Sequence, residues 1–284
     1  MSSKAPLAGW VDPNFPNPNG PADAPIIIYG YTPSLAVALL GVILFSISAI
    51  LHAFQLFRYR TWWFTPVLVG TVMEIVGYVF RILSAKIDPY HVIYFVVQYF
   101  FIVVAPVFFS AGIYTILSVL INRLGHQFTP VSPRLILLIF IISDVVSTGV
   151  QIAGAALIGK AESNRQDPTT PNNILLAGLA FQVFTFFIFL ILTSIFLWKS
   201  RHATGVREKH NSPRGVKKSF LVAFVVATLA VYLRTCFRLA ETAQGLYGYL
   251  SVHETFFGCL EFAPIVVAVV LLNIWHPGRC IPQY

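Results

Sequence analysis

The sequence predicts an all-α, polytopic membrane protein: a single bundle of seven transmembrane helices, N-terminus outside and C-terminus cytosolic. Three features predict it. Hydrophobic residues fill 57% of the 284 positions and charged residues only 11%, with a mean hydropathy of +0.75; a soluble domain carries about 25% charged residues. Seven apolar runs approach the roughly 20 residues that a helix needs to cross a bilayer core. Positive charge gathers in alternate connections. This composition excludes an ordinary water-soluble globule, a basic nucleic-acid-binding protein and a disordered chain. No nucleic acid partner is expected, despite a net charge of +8. Cys236, Cys259 and Cys280 are too few for a secreted disulfide scaffold.

The predicted spans are Pro33–Gln55, Pro66–Ser84, Tyr94–Leu120, Arg134–Ile158, Ile174–Trp198, Ser219–Ala240 and Glu254–Trp275. They are too long, and alternate too little, for β-barrel strands. Six are preceded by a capping residue and a proline: Thr32-Pro33, Thr65-Pro66, Asp88-Pro89, Ser132-Pro133, Thr170-Pro171 and Ser212-Pro213. A side-chain oxygen accepts an orphan N–H there, and proline at the first helical position loses no hydrogen bond. The seventh start, Ser251-x-x-Glu254, has the spacing of a capping box. Short connections imply one domain over 33–275, flanked by a proline-rich outer arm (1–32) and a cytosolic tail (276–284).

Orientation follows from the positive charges. Connections after the odd-numbered spans, with the tail, hold twelve Lys and Arg, against Lys4, Lys86, Lys160 and Arg165 on the other side. Seven of the twelve lie in the loop from Lys199 to Lys218, read as a positive-inside signal rather than a specific anionic-lipid site. Residues 1–25 contain six prolines and no continuous apolar stretch, so no signal peptide is read there and the arm is expected to be extended and poorly ordered. The arm holds no N-x-Ser/Thr sequon. Trp62 and Trp63 are expected at the inner interface.

Polar residues inside the spans carry the functional information, because an ionised side chain near the bilayer centre costs about 2.5–3.5 kcal/mol unless it is paired or faces a cavity. Glu74, Tyr78 and Arg81 fall at i, i+4 and i+7, hence on one helix face. Asp144, Thr148 and Gln151 repeat the spacing, as do Arg234, Arg238 and Glu241. Gln98, Glu254 and Glu261 add to the set, with His91 and His253 at the outer rim. With the orientation above, Glu74 and Asp144 lie near the midplane and the others in the outer half, while the inner halves read as apolar. An outward-opening polar cavity for a ligand or substrate is expected, lined by Glu74, Tyr78, Arg81, Gln98, Asp144, Gln151, Arg234, Arg238, Glu241, His253, Glu254 and Glu261. A structural salt-bridge network that locks the bundle is the competing reading, with Arg238 and Glu241 able to pair at i, i+3.

Other chemistry finds little support. His253, Glu254, Glu261 and His91 could surround a zinc ion, but no HExxH or paired-histidine spacing exists, so neither metal nor cofactor is expected. No Ser or Cys has an evident base, and no P-loop is present, so an enzyme is not expected. A seven-helix receptor is the main alternative; it lacks an acidic-Arg-aromatic triplet after the third span and Asn-Pro-x-x-Tyr in the seventh, and no Lys there could hold retinal. An intramembrane lipid hydrolase using the carboxylates and histidines is a further alternative. Pro106 and Pro264 interrupt backbone bonding in the third and seventh spans, and Gly149 and Gly154 would admit a neighbouring helix.

From Gly30 to Gly278 the chain resembles the fungal lipid-translocating exporter family, the seven-helix proteins named for resistance to aminocholesterol. The resemblance rests on Glu74-x-x-Gly77-Tyr78-x-x-Arg81, on Gln98 followed by Ala105-Pro106, Ala111 and Tyr114, and on Asp144 with Gln151 and Gly154. It continues through Arg234, Phe237-Arg238 and Glu241 to His253-Glu254, Glu261 with Pro264, and His276-Pro277-Gly278. Glu261 departs from the aspartate usual there and keeps the carboxylate on a longer stem. The resemblance implies a plasma- or vacuolar-membrane protein whose partners are membrane lipids and an amphiphilic small molecule of the sphingoid-base kind, and whose action confers tolerance of toxic amphiphiles. Transport and sensing both fit it, charges of both signs leave the substrate's charge open, and oligomeric state is not readable.

Overall fold

The computed structural model describes residues 11–12, 15, 22–129, 131–164, 166–205, 216–245 and 248–281. The described residues are helical apart from turns and one isolated bridge. The helices are α1 (Leu35–Tyr59), α2 (Thr65–Lys86), α3 (Val92–Leu124), α4 (Pro133–Ser163), α5 (Thr169–Gly205), α6 (Lys218–Ala243), α7 (Glu254–Phe256), α8 (Ala263–Ile274) and α9 (Pro277–Cys280), with a π-helical stretch Phe257–Phe262 joining α7 to α8. Seven are long and apolar enough to cross a membrane when Glu254–Cys280 is taken as one span, so this is an integral, multi-pass chain.

From α1 to α6 each helix packs on the next, α6 packs on α8, α8 returns to α1, and α3 also reaches α5 and α6 from the centre of the bundle. The surface is turned inside out relative to a soluble protein: Leu40, Ile43, Ile47, Ile50 and Phe54 of α1, and Leu138, Ile142 and Val145 of α4, are exposed. These side chains meet lipid, which leaves close packing and polar contacts to associate the helices. Gly154 is such a contact, since a Cβ there would stand 2.7 Å from the backbone nitrogen of Leu175 on α5. Gly149 has nothing within 4 Å and plays no such part.

Two ends follow from the alternating helices. The arm end gathers residues 22–34, the start of α3 and the turn before α7; the tail end gathers the turn before α2, the end of α3, and α9. The positions that precede the helices differ from their expected capping roles. Thr32 Oγ1 donates to Asp12 at 2.5 Å, Asp88 accepts from the nitrogen of Tyr90, and Asp167 takes the cap before α5, accepting from the nitrogen and hydroxyl of Thr169. Ser212-Pro213 lies outside the described residues, as do Lys4, Arg165 and the centre of the basic loop. The expected capping box at α7 does not form: Ser251 donates to the carbonyl of Gly245, and Glu254 turns to α1. The described end of the arm packs on the bundle: Ile27 and Tyr29 bury against Tyr90 and Phe95, Ala24 N–H donates to the carbonyl of Tyr90 and Val92 N–H to that of Ala22, while most of the segment expected to be poorly ordered (1–25) lies outside the described residues.

The π-helical stretch has a local cause. Pro264 carries no N–H for the carbonyl of Leu260, and its ring crowds that carbonyl. The chain widens there, and the nitrogen of Ala263 bonds to the carbonyl of Gly258, five residues back. Pro106 sits within α3 without interrupting it.

The glycine contact gives a direct test. Gly154→Leu is expected to force α4 from α5 and cost about 1–3 kcal/mol, whereas Gly149→Ala is expected to be neutral or stabilising by up to about 1 kcal/mol. Thermal denaturation of the detergent-solubilised protein, followed by size exclusion, reads both.

Candidate functional site

Burial sorts the predicted residues at once. Glu74, Tyr78, Arg81, Gln98, Arg234, Arg238 and Glu261 are all buried, facing neighbouring helices rather than lipid. They sit on α2, α3, α6 and the seventh span, and together with Glu241 and Glu254 form a charged tier in the half of the bundle nearer the arm. Helical spacing brings each set onto one face, and Gly41 on α1 lets the Tyr78 ring lie against its backbone, where a Cβ would stand 2.5 Å from Cδ1.

Three ion pairs organise the tier. Arg81 on α2 pairs with Glu254 at the start of the seventh span. The same guanidinium lies 4.1 Å over the Phe257 ring and 5.7 Å from each of the Tyr29 and Tyr31 rings, and it donates to Tyr31 Oη at 3.0 Å. Glu254 also accepts from the nitrogen of Ser34 at 2.9 and 3.1 Å, so one carboxylate caps α1 and fastens α2 to the seventh span. Arg234 on α6 pairs with Glu261 and donates to the carbonyl of Ile102 on α3 at 2.7 Å. Arg238 pairs with Glu241 at 2.6 Å, the expected i, i+3 contact, and lies 4.9 Å over the Tyr99 ring. Glu74 interacts electrostatically with Arg234 and with Glu261. Glu261 Oε2 and the Nε atoms of Arg81 and Arg234 have no hydrogen-bond partner, so the buried tier retains unused polar capacity.

Among the described residues, the tier's basic and acidic groups are unequal in number. Three guanidiniums (Arg81, Arg234, Arg238) face four carboxyl groups (Glu74, Glu241, Glu254, Glu261). Glu261 pairs with Arg234, and Glu74 lies within electrostatic reach of both. Glu254 and Glu241 are the accessible members, their side chains 22% and 17% exposed.

Above the tier, the arm closes over Arg81. Tyr29 donates to Gln98 and meets Ser84 at 3.0 Å, placing the arm across α2 and α3. Burial pushes the Tyr29 hydroxyl up to about 12, partly offset by Arg81 and by Ser84, and raises Tyr31 likewise.

Asp144 and Gln151 stand apart from this tier. Asp144 accepts from Tyr114 on α3 at 2.9 Å, and Gln151 donates to Gln182 on α5 at 2.8 Å and to Ser147 at 3.1 Å. His253 is exposed, its ring 4.3 Å from Tyr249, and His91 stacks on Tyr94; neither is held by the tier. Among the described residues, no group of three or more His, Cys, Asp or Glu could hold a metal ion.

The tail half also holds a polar cluster, most of it on α1 and the turns, beyond the polar-striped spans whose inner halves read as nearly uniformly apolar. Ser48, His52, Thr61, Asn273 and His276 are buried there, with the His52 and His276 rings 6.1 Å apart, Asn273 donating to Ser48 at 2.9 Å and Gln55 to the carbonyl of Asn273 at 2.9 Å. The signal was available: Ser48, His52 and Gln55 repeat the i, i+4, i+7 spacing on α1. His276, in the Pro-Gly motif near the tail, accepts from the nitrogen of Gly278 at 3.2 Å and so caps α9.

Fold and tier together define a seven-span membrane protein with a buried ionic layer toward one end. The family described as RTA1 like protein matches residues 67–284, and the chain belongs to that family. Among its relatives, the sphingoid long-chain base transporter RSB1 of Saccharomyces cerevisiae is 33% identical over 88% of this chain and 73% of its own length. From the same species, protoporphyrin uptake protein 1 is 26% identical over 89% of this chain and 92% of its own, and protein RTA1 is 26% identical over 88% and 84%. No solved structure matches the chain significantly.

Arg234→Met is expected to leave Glu261 buried without its paired cation and to destabilise by about 3–5 kcal/mol. Adding Glu261→Gln should recover part of that loss, and a thermal-shift double-mutant cycle measures the coupling. The Tyr29 shift predicts a second effect. Because the folded hydroxyl titrates higher than the unfolded one, its stabilisation is complete below pH of about 10 and is lost toward about 12. Tyr29→Phe is expected to remove that alkaline limb, read by intrinsic fluorescence across a pH series.

Proposed function

We propose that the protein binds cationic amphiphiles, of the sphingoid-base kind, at its charged tier and moves them across the membrane. The observation that carries the reading is the excess carboxyl: four acids and three guanidiniums in a buried layer. In low dielectric an uncompensated charge is expensive, so the layer is neutral either with one carboxyl protonated or with one added monocation. An ammonium head group supplies that cation, and its hydrocarbon tail suits the apolar exterior of the bundle. The name of one relative, a sphingoid long-chain base transporter, supports the same substrate class, and those of the relatives reported above that state an activity describe transport or uptake, which supports a non-enzymatic role.

In this reading Glu254 and Glu241, the accessible acids, receive the amine first, and Glu74 and Glu261 hold it deeper. The alternating positive charges support an arm end outside and a tail end in the cytosol, in a plasma or vacuolar membrane, so that export toward the arm end lowers the load of toxic amphiphiles. The domain from 33 to 275 performs the whole step, with residues 22–32 as its outer cover.

Purified protein in vesicles, given a fluorescent sphingoid base, tests this. A protein-dependent change in leaflet distribution is expected, with Glu74→Gln slowing it by roughly tenfold or more, the scale of one charge-assisted contact. A hydroxyl analogue without the amine should not move. Equal movement of amine and analogue, or no dependence on the protein, overturns the proposal.

A further inference from the structure

Asp144 is a buried acid that the charged tier does not use. It lies within α4, eleven residues from Pro133, and is 1% exposed. Tyr114 donates to Oδ2 at 2.9 Å, while Oδ1 has no hydrogen-bond partner. One helical turn away on the same face, Thr148 Oγ1 is also buried without a partner. Among the described residues, no cation is paired with it. From α3 the titratable group that faces Asp144 is Tyr114, and that ring is packed by Phe140 of α4 and by Phe186 and Phe189 of α5, at 5.5, 5.9 and 4.5 Å. Behind Phe186 stands Tyr232 of α6, stacked at 5.7 Å. Arg134 and Lys160 on α4 are ten and sixteen residues away along the helix, about 15 and 24 Å at 1.5 Å per residue. The guanidinium of Arg234 is already committed to Glu261 and the carbonyl of Ile102.

A carboxylate in this place has a donor on one oxygen and nothing on the other. A carboxylic acid keeps that donor on Oδ2 and leaves its own O–H short of an acceptor. Neither form is fully satisfied, and burial without a cation weighs against the charged form that Tyr114 favours. Opposed terms of this kind set a group to change protonation as its surroundings change, as intramembrane acids on proton pathways do. With one carboxylate and two hydroxyls, the oxygen set is too small for calcium or magnesium, which take six or more ligands.

We infer that Asp144 is a proton-exchange site of the bundle, separate from the charged tier: one proton adds to the carboxylate as Oδ–H when the site is loaded and leaves to water when it opens. Its existence does not depend on the transport proposed above; its use does, and there it supplies the coupling ion that amine movement would draw on.

Infrared difference spectroscopy of the protein in nanodiscs tests the site without any substrate. A carboxylic C=O stretch is expected to fade as pH rises, to be absent in Asp144→Asn, and to persist at a shifted position in Asp144→Glu. Tyr114→Phe, which removes the donor that favours the carboxylate, should move the fading to higher pH. Identical spectra for wild type and Asp144→Asn, or a titration that moves with sodium at constant ionic strength, overturn the inference. In vesicles under a pH gradient, amine movement should respond to the gradient in wild type and lose the response in Asp144→Asn; an unchanged response also overturns it. If wild type moves no amine at all, the transport reading fails while the infrared band still decides Asp144.

Discussion

The structure depends on one constraint: charges taken out of water among apolar helices must find compensation inside the protein. Three arginines within the spans meet it with carboxylates and aromatic faces; two of the pairings, Arg81–Glu254 and Arg234–Glu261, join elements distant in sequence, while Arg238–Glu241 lies within α6. Glu254 is the clearest case. Its carboxylate meets Arg81 of α2 and the backbone nitrogen of Ser34, the residue just before α1, so three elements meet at one side chain. Arg234 does the same for α6, the seventh span and α3. Removing the hydrophobic effect as a driving force between helices, as lipid does, gives such contacts a larger share of the specificity.

The seventh span shows how local chain chemistry feeds this layer. Pro264 forces a π-helical turn, and Glu261 lies within it. A regular α-helix would point Glu261 along a different direction relative to Glu254. Widened turns of this kind recur at functional sites, and here the turn sets the mutual orientation of a deep and an accessible acid. The tail-end cluster of His52, Asn273 and His276 anchors the other end of the same span to α1, so the segment between the two anchors carries both the π-helical turn and the proline.

The number of spans, the family and the inward face of each polar stripe were legible in the sequence, because helical periodicity and apolar length are local properties. Glu74, Tyr78 and Arg81 needed only their spacing. Partnership was less legible. Ser251-x-x-Glu254 has a capping pattern, yet Glu254 serves Ser34, 220 residues away, because a tertiary partner outbid the local one. Asp144 shares its spacing pattern with the ionic stripes but faces Tyr114 and phenylalanines, and only helix packing separates it from the tier. The docking of Ile27 and Tyr29 was hidden by the proline-rich segment ahead of them. The α1 stripe of Ser48, His52 and Gln55 carries no formal charge, so the cost of a buried ion does not mark it in the sequence.

The excess carboxyl is the central claim, and proton counting addresses it most directly. If the empty tier carries its odd acid protonated, binding a long-chain ammonium displaces that proton. Calorimetric titration of the nanodisc-embedded Asp144→Asn protein with a sphingoid amine, in buffers of differing ionisation enthalpy, should show release of about one proton per amine bound. Binding with no proton release, or release unaltered by Glu74→Gln, would contradict the account.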